Sequence, residues 1–155
     1  MAETIRFEFI AQERIIYQDD VSMVVAPGAG GVLGVLTTQG TLMTLIGPGE
    51  VVIKKEGQPD RYFAVGGGFM EVRPDKIILL ARSGEEAEEI DIARAQQARR
   101  EAEELLAQSE MDTEERRQLA DLALRRSKIR LKVAERRRKQ PVRGPVPRPG
   151  EVGPE

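Results

Sequence analysis

The 155-residue chain has no cysteine, no histidine and no tryptophan, and its aromatic complement is four phenylalanines and two tyrosines. Without cysteine there is neither a disulfide framework nor a thiolate metal site. Without histidine the usual general base and the commonest metal ligand are missing, so no Ser-His-Asp set or Cys-His pair can be assembled. Glu85-Glu86 and Glu88-Glu89 are paired carboxylates, but they sit in an exposed polar run rather than a cleft. No catalytic centre emerges. No apolar run approaches the ~20 residues of a spanning helix, and Met1-Ala2-Glu3-Thr4 lacks the basic-then-apolar pattern of a signal peptide. The sequence predicts a cytosolic protein, or one that meets a membrane only through partners.

What is present is divided along the chain. All the aromatics (Phe7, Phe9, Tyr17, Tyr62, Phe63, Phe69) fall in the first 69 positions, so the core belongs to the N-terminal part. Ile5, Phe7 and Phe9 alternate with Arg6 and Glu8, the period of a half-buried strand. Further β-rich runs occur at 15–17, 21–26, 32–36, 51–54, 62–65, 69–73 and 77–81. Turn chemistry separates them at Pro27-Gly28, Gly47-Pro48-Gly49, Gly57-Gln58-Pro59-Asp60 and Pro74-Asp75. Many short strands at close spacing predict an antiparallel β-sandwich.

From about Glu88 the period becomes helical. Ala95, Ala98, Ala102 and Leu105 share one face. Asp112 with Glu115 resembles a capping box opening a second helix. Ala120, Ala123, Ser127, Leu131 and Ala134 stripe that helix, with Leu122, Ile129 and Val133 beside them. An αα-hairpin follows, and then Gln140 to Glu155, with five prolines and three glycines, predicts a disordered tail. The expected class is mainly β plus α. Residues 1–84 form the antiparallel sandwich, 85–139 the C-terminal helical hairpin, and 140–155 the Pro-rich tail.

Net charge is only -2, yet it is segregated. Glu85 to Glu104 carries eight acidic and three basic residues, whereas Arg125 to Lys139 carries nine basic and one acidic. Two explanations stay open: a solvated helix pair closed by opposite charges, or a basic helix seeking an acidic protein surface. Nucleic acid is not expected, because no aromatic platform accompanies the basic residues. Gly28-Ala29-Gly30-Gly31 and Gly66-Gly67-Gly68 each lead into a β-rich run rather than a helix, so they suit turns and bulges, not a phosphate loop.

Val65-Gly66-Gly67-Gly68-Phe69-Met70-Glu71-Val72-Arg73-Pro74-Asp75-Lys76, followed by Glu89-Ile90-Asp91 to Arg94-Ala95, resembles the epsilon subunit family of bacterial F-type ATP synthases. Gly31-Val32-Leu33-Gly34-Val35-Leu36 resembles the family's Gly-x-Leu-Gly-x-Leu/Ile element. The resemblance covers about residues 3 to 139. It departs from the family at Thr38-Gln39-Gly40-Thr41-Leu42, where relatives usually carry Pro-Gly-His-x-Pro-Leu.

The resemblance implies a non-catalytic central-stalk subunit at the cytoplasmic face of the bacterial cell membrane. It would be attached there through the complex alone, with gamma, the c-ring and beta as partners. Its sandwich would couple c-ring and gamma rotation to ATP synthesis. Its hairpin would inhibit hydrolysis when extended, presenting Arg125, Arg126, Lys128, Arg130 and Lys132 to an acidic segment of beta. No cofactor is required; the resemblance allows ATP as a regulatory ligand, and the alternative is that the residues of its motif form interhelical ion pairs only. Glu85, Ile90, Asp91 and Arg94 match first-helix positions of the ATP motif found in some relatives, and Arg126 and Arg130 match the second-helix arginines. Glu101 stands where those relatives have a further arginine. The alternative is a free-standing sandwich whose basic helical arm binds an acidic protein or RNA.

Overall fold

Alternation fixes the first strand. In β1 (Ile5–Ala11) Ile5, Phe7, Phe9 and Ala11 are buried while the residues between them are only partly covered, as expected where one strand face meets a core. The computed structural model describes residues 3–36, 40–108 and 113–139. It continues with β2 (Arg14–Val21), β3 (Met23–Gly28), β4 (Gly31–Leu36), β5 (Leu42–Lys54), β6 (Arg61–Val72), β7 (Lys76–Ala81) and β8 (Gly84–Glu86). The sheet order is β2-β1-β7-β6-β5-β3-β4, with β8 paired to β6. Its inner face encloses an aromatic cluster: the Phe9 and Phe63 rings meet edge-on at 5.5 Å, and Tyr17 lies 5.5 Å from Phe63. This is the expected β-sandwich, antiparallel in every pair but one. β1 and β7 run parallel, Phe7 beside Ile77.

Two expected turns are strand interior instead. Gly47-Pro48-Gly49 lies within β5, which runs unbroken beside β6 from Leu42↔Val72 to Ile53↔Arg61. On its other side, pairing with β3 breaks between Val25 and Gly28, so the ladder accommodates a residue without an N–H. Gly66-Gly67-Gly68 likewise does not separate two strands. It is where β6 changes neighbours, pairing with β8 through Phe63–Val65 and with β7 through Gly68–Val72. Gly67 has φ +95°, open to glycine at little cost. The run expected over 21–26 is divided, since Val21 ends β2 and Met23 begins β3.

A 3-10 turn at Ala87–Glu89 links β8 to α1 (Ile92–Ala107), whose N-cap is Asp91: its side chain accepts the Arg94 N–H at 3.0 Å. α2 spans Glu114–Lys139. Its first turn is capped by Thr113, whose Oγ1 accepts the Arg116 N–H at 3.2 Å. Asp112, expected to open that helix, lies outside the described residues, as do Thr38, Gln39 and the tail 140–155. Ala95 and Ala102 of α1 and Ala120, Ser127 and Ala134 of α2 are buried, so small residues line both faces where the helices meet. Leu105 and Leu122, expected on or beside those faces, are 45% and 50% exposed. Leu106 is the half-buried leucine near the end of α1.

Candidate functional site

The hairpin is folded down on the sandwich, and the seam between them collects most of the predicted site residues. Ile129, Val133 and Ala134 of α2 pack with Tyr62 and Ala64 of β6 and with Ala87, Ile90 and Ile92 of the connection. This second core is small. Fully burying a side chain such as Val133 or Ile90 contributes on the order of 1.5–3 kcal/mol, far less than the aromatic core beneath the sheet.

Ion pairs complete the seam. Arg130 grips Glu85 through both guanidinium arms, at 2.8 and 3.1 Å. One turn and a half later, Arg136 holds Glu50 of β5 at 3.2 and 3.1 Å while lying 5.1 Å over the Tyr62 ring. The hydrogen bonds with Glu50, then its charge, raise the Arg136 pKa above the ordinary arginine value. Arg137 donates to the Glu88 carbonyl at 2.8 Å. Beside Glu85 on β8, Glu86 accepts Arg61 at 2.8 and 2.9 Å, and Arg61 stacks 4.8 Å over Tyr17. Burial alone would lower the Arg61 pKa, but the Glu86 contacts outweigh it and raise it. Neighbouring carboxylates on one short strand therefore serve opposite sides. Glu86 fastens β8 to the sandwich, and Glu85 fastens α2 to β8.

A cavity of about 380 Å³ opens along this seam, with Glu85, Arg126 and Arg130 in its wall. The other predicted ATP-motif residues are elsewhere. Ile90 is buried under α2, Asp91 is committed to the α1 cap, and Arg94 is exposed. Glu101 accepts a hydrogen bond from Gln97 at 2.9 Å and does not line the cavity. Of the basic face, Arg125, Arg126, Lys128 and Lys132 are exposed. Arg125 also pairs with Asp121 at 3.3 Å, while Arg130 is turned inward onto Glu85. A separate cleft between the helices is lined by Arg99, Arg100 and Glu103 among others, but Arg99 is bound to Glu103 and Arg100 to Gln97.

Sequence reasoning missed Glu50, Arg136 and Arg61. The one available signal was Glu50 itself, a carboxylate in a strand next to Val51, Val52 and Ile53, where an unpaired charge would be costly.

The ATP synthase delta/epsilon chain β-sandwich domain matches residues 4–87, and the long α-helix domain of the same chain matches 88–135. The chain belongs to the ATP synthase delta/epsilon family. Three named epsilon chains agree along nearly their whole length. That of Dehalococcoides mccartyi is 41% identical over 88% of this chain and 96% of its own. Those of Herpetosiphon aurantiacus and Chloroflexus aggregans are 40% and 44% identical over 86% and 84% of this chain, and 96% and 92% of theirs. A chain of the Euglena gracilis mitochondrial ATP synthase (OSCP/F1/c-ring) shares the fold at a TM-score of 0.70 and 21% identity, over 88% of this chain and 82% of that one. The protein is thus an epsilon-type, non-catalytic subunit of the rotary ATP synthase. The free-standing interaction module is not favoured. Among the described residues no helix is long and apolar enough to cross a membrane.

Proposed function

We propose that the sandwich is the rotor-binding unit and the hairpin a reversible brake, with gamma, the c-ring and beta as the partners. The complex would work at the cytoplasmic face of the bacterial membrane. In support of rotor binding, an apolar row crosses the outer face of the sheet. Leu45, Phe69, Leu80 and Ile15 are 54%, 55%, 52% and 58% exposed, and the register joins Leu45 to Phe69, Phe69 to Leu80, Leu80 to Ile10 and Ile10 to Ile15. A contiguous exposed apolar row is a protein-binding feature.

The observation that carries the brake is the seam. Its small apolar core and its two bidentate pairs, Arg130 with Glu85 and Arg136 with Glu50, suit a contact that opens and recloses. Once lifted, α2 would bring Arg125, Arg126, Lys128, Arg130 and Lys132 together to an acidic surface of beta and stop hydrolysis. ATP is proposed as the ligand that favours the folded-down state. Binding only that state, it would shift the balance by ~2.7 kcal/mol at a hundredfold excess over its Kd.

Truncation after Ala87 tests this reading. The complex should still assemble, because the aromatic core is intact, and should hydrolyse ATP faster than the complex with the full chain. Charge reversal of the five basic residues should act likewise. Equal rates with and without the hairpin would refute the brake.

A further inference from the structure

We infer that Arg14, on the sandwich, is a phosphate-binding residue that completes an anion site with Arg126 and Arg130 of α2, so that the ligand bridges the two units. The inference rests on the ATP reading above and adds to it a residue from the sandwich that the ATP motif does not contain.

Three observations carry it. Arg14 lines the same seam cavity as Arg126 and Arg130, so three arginines from two separate elements border one space of about 380 Å³. Arg14 and Arg126 hold no ion pair among the described residues, whereas Arg130 is occupied by Glu85. Two forks are therefore available to a ligand without breaking the closed seam. Gln12 and Ser83 add neutral polar groups to the wall.

Phosphate is the ligand chemistry that fits. Arginine forks match phosphate oxygens in pairs, and three arginines in the wall outnumber the carboxylates of Glu85 and Glu89. Glu101 occupies the position where ATP-binding relatives carry an arginine. Here Arg14 supplies a third cation from the opposite side of the site. A ligand held by β2 and α2 together has a complete site only while the hairpin is down, which gives the linkage its physical basis.

The test is calorimetry on the full chain with ATP and, separately, inorganic tripolyphosphate, using wild type, Arg14→Gln and Arg14→Lys. Circular dichroism checks that each variant folds. Arg14 is exposed, and the lysine variant keeps the charge while losing the fork. The expected result is that wild type binds, Arg14→Gln binds at least tenfold more weakly, and Arg14→Lys lies between. The rise in melting temperature that ligand gives wild type should be lost in Arg14→Gln. ATP bound equally by all three would overturn the role of Arg14 and leave the nucleotide reading standing. Tripolyphosphate bound with Arg14 dependence but ATP not bound would support the phosphate site and overturn the nucleotide reading. No binding of either ligand to wild type would overturn both.

Discussion

Burial, followed by the charge of Asp19, pushes the Tyr17 phenol up from 10.0 to about 12. Because the folded value is raised, the neutral phenol stabilises the fold fully below pH 10, and that contribution is lost as pH climbs through about 12. With only two tyrosines in the chain, a Tyr62→Phe variant leaves Tyr17 as the sole phenol. Its absorbance titration should have a midpoint near 12; a midpoint at the ordinary tyrosine value would mean the ring is not buried as described. Glu50 makes the sharper single-residue case. Its side chain is 14% exposed and held by Arg136. Glu50→Gln removes the charge and half of the fork, weakening docking of α2 by about 1–2 kcal/mol. That corresponds to a roughly five- to thirtyfold shift toward the lifted hairpin. Fluorescent labels on Val32→Cys and Leu119→Cys, both exposed sites in a cysteine-free chain, should report lower transfer in Glu50→Gln. Unchanged transfer would show that the pair does not hold the seam.

At the scale of elements, β6 is the strand on which the sandwich turns. A Cβ on Gly68 would collide with the Leu80 carbonyl oxygen and come within 2.8 Å of the Ala81 Cα. Since these are backbone atoms that cannot step aside, Gly68→Ala should cost about 2–3 kcal/mol. Thermal unfolding should show a melting temperature lowered by several degrees; an unshifted one would contradict the β6–β7 register. This position also shows the limit of sequence reading. Alternation made β1 visible, and the small-residue stripes made the hairpin visible, because both patterns are local. The glycine run was visible as backbone freedom, but not as the point where one strand exchanges β8 for β7, because that depends on residues about fifteen positions away. Pro48 hid the first half of β5 for the same reason: the break in β3 that accommodates it lies more than twenty residues earlier. Of the proposed site, Glu85, Arg126 and Arg130 were legible only through the family resemblance, as matches to the ATP motif of some relatives. Arg14, Glu50 and Arg136 were not, since only the folded-down hairpin brings β2, β5 and α2 together.

At the scale of the whole molecule, two units with unequal cores share one seam. The sandwich is held by the Phe7, Phe9 and Phe63 core and supports an outward apolar row. The hairpin is held down by a few aliphatic side chains and two arginine forks. On the brake reading proposed above, such an imbalance would let the hairpin leave while the sandwich stays folded. Glu86 keeps β8 attached through Arg61, so a hairpin that lifts would pivot between Ala87 and Asp91. The central claim is that the hairpin must leave the sandwich to inhibit. Glu50→Cys with Arg136→Cys, at positions whose native side chains meet across the seam, would lock it down once joined by a bis-maleimide with a reducible linker, in a chain with no native cysteine. The decisive measurement is ATP hydrolysis by the assembled complex carrying this variant, cross-linked and then reduced. The account predicts fast hydrolysis when locked and slower hydrolysis once reduction frees the hairpin; equal rates in the two states would contradict it.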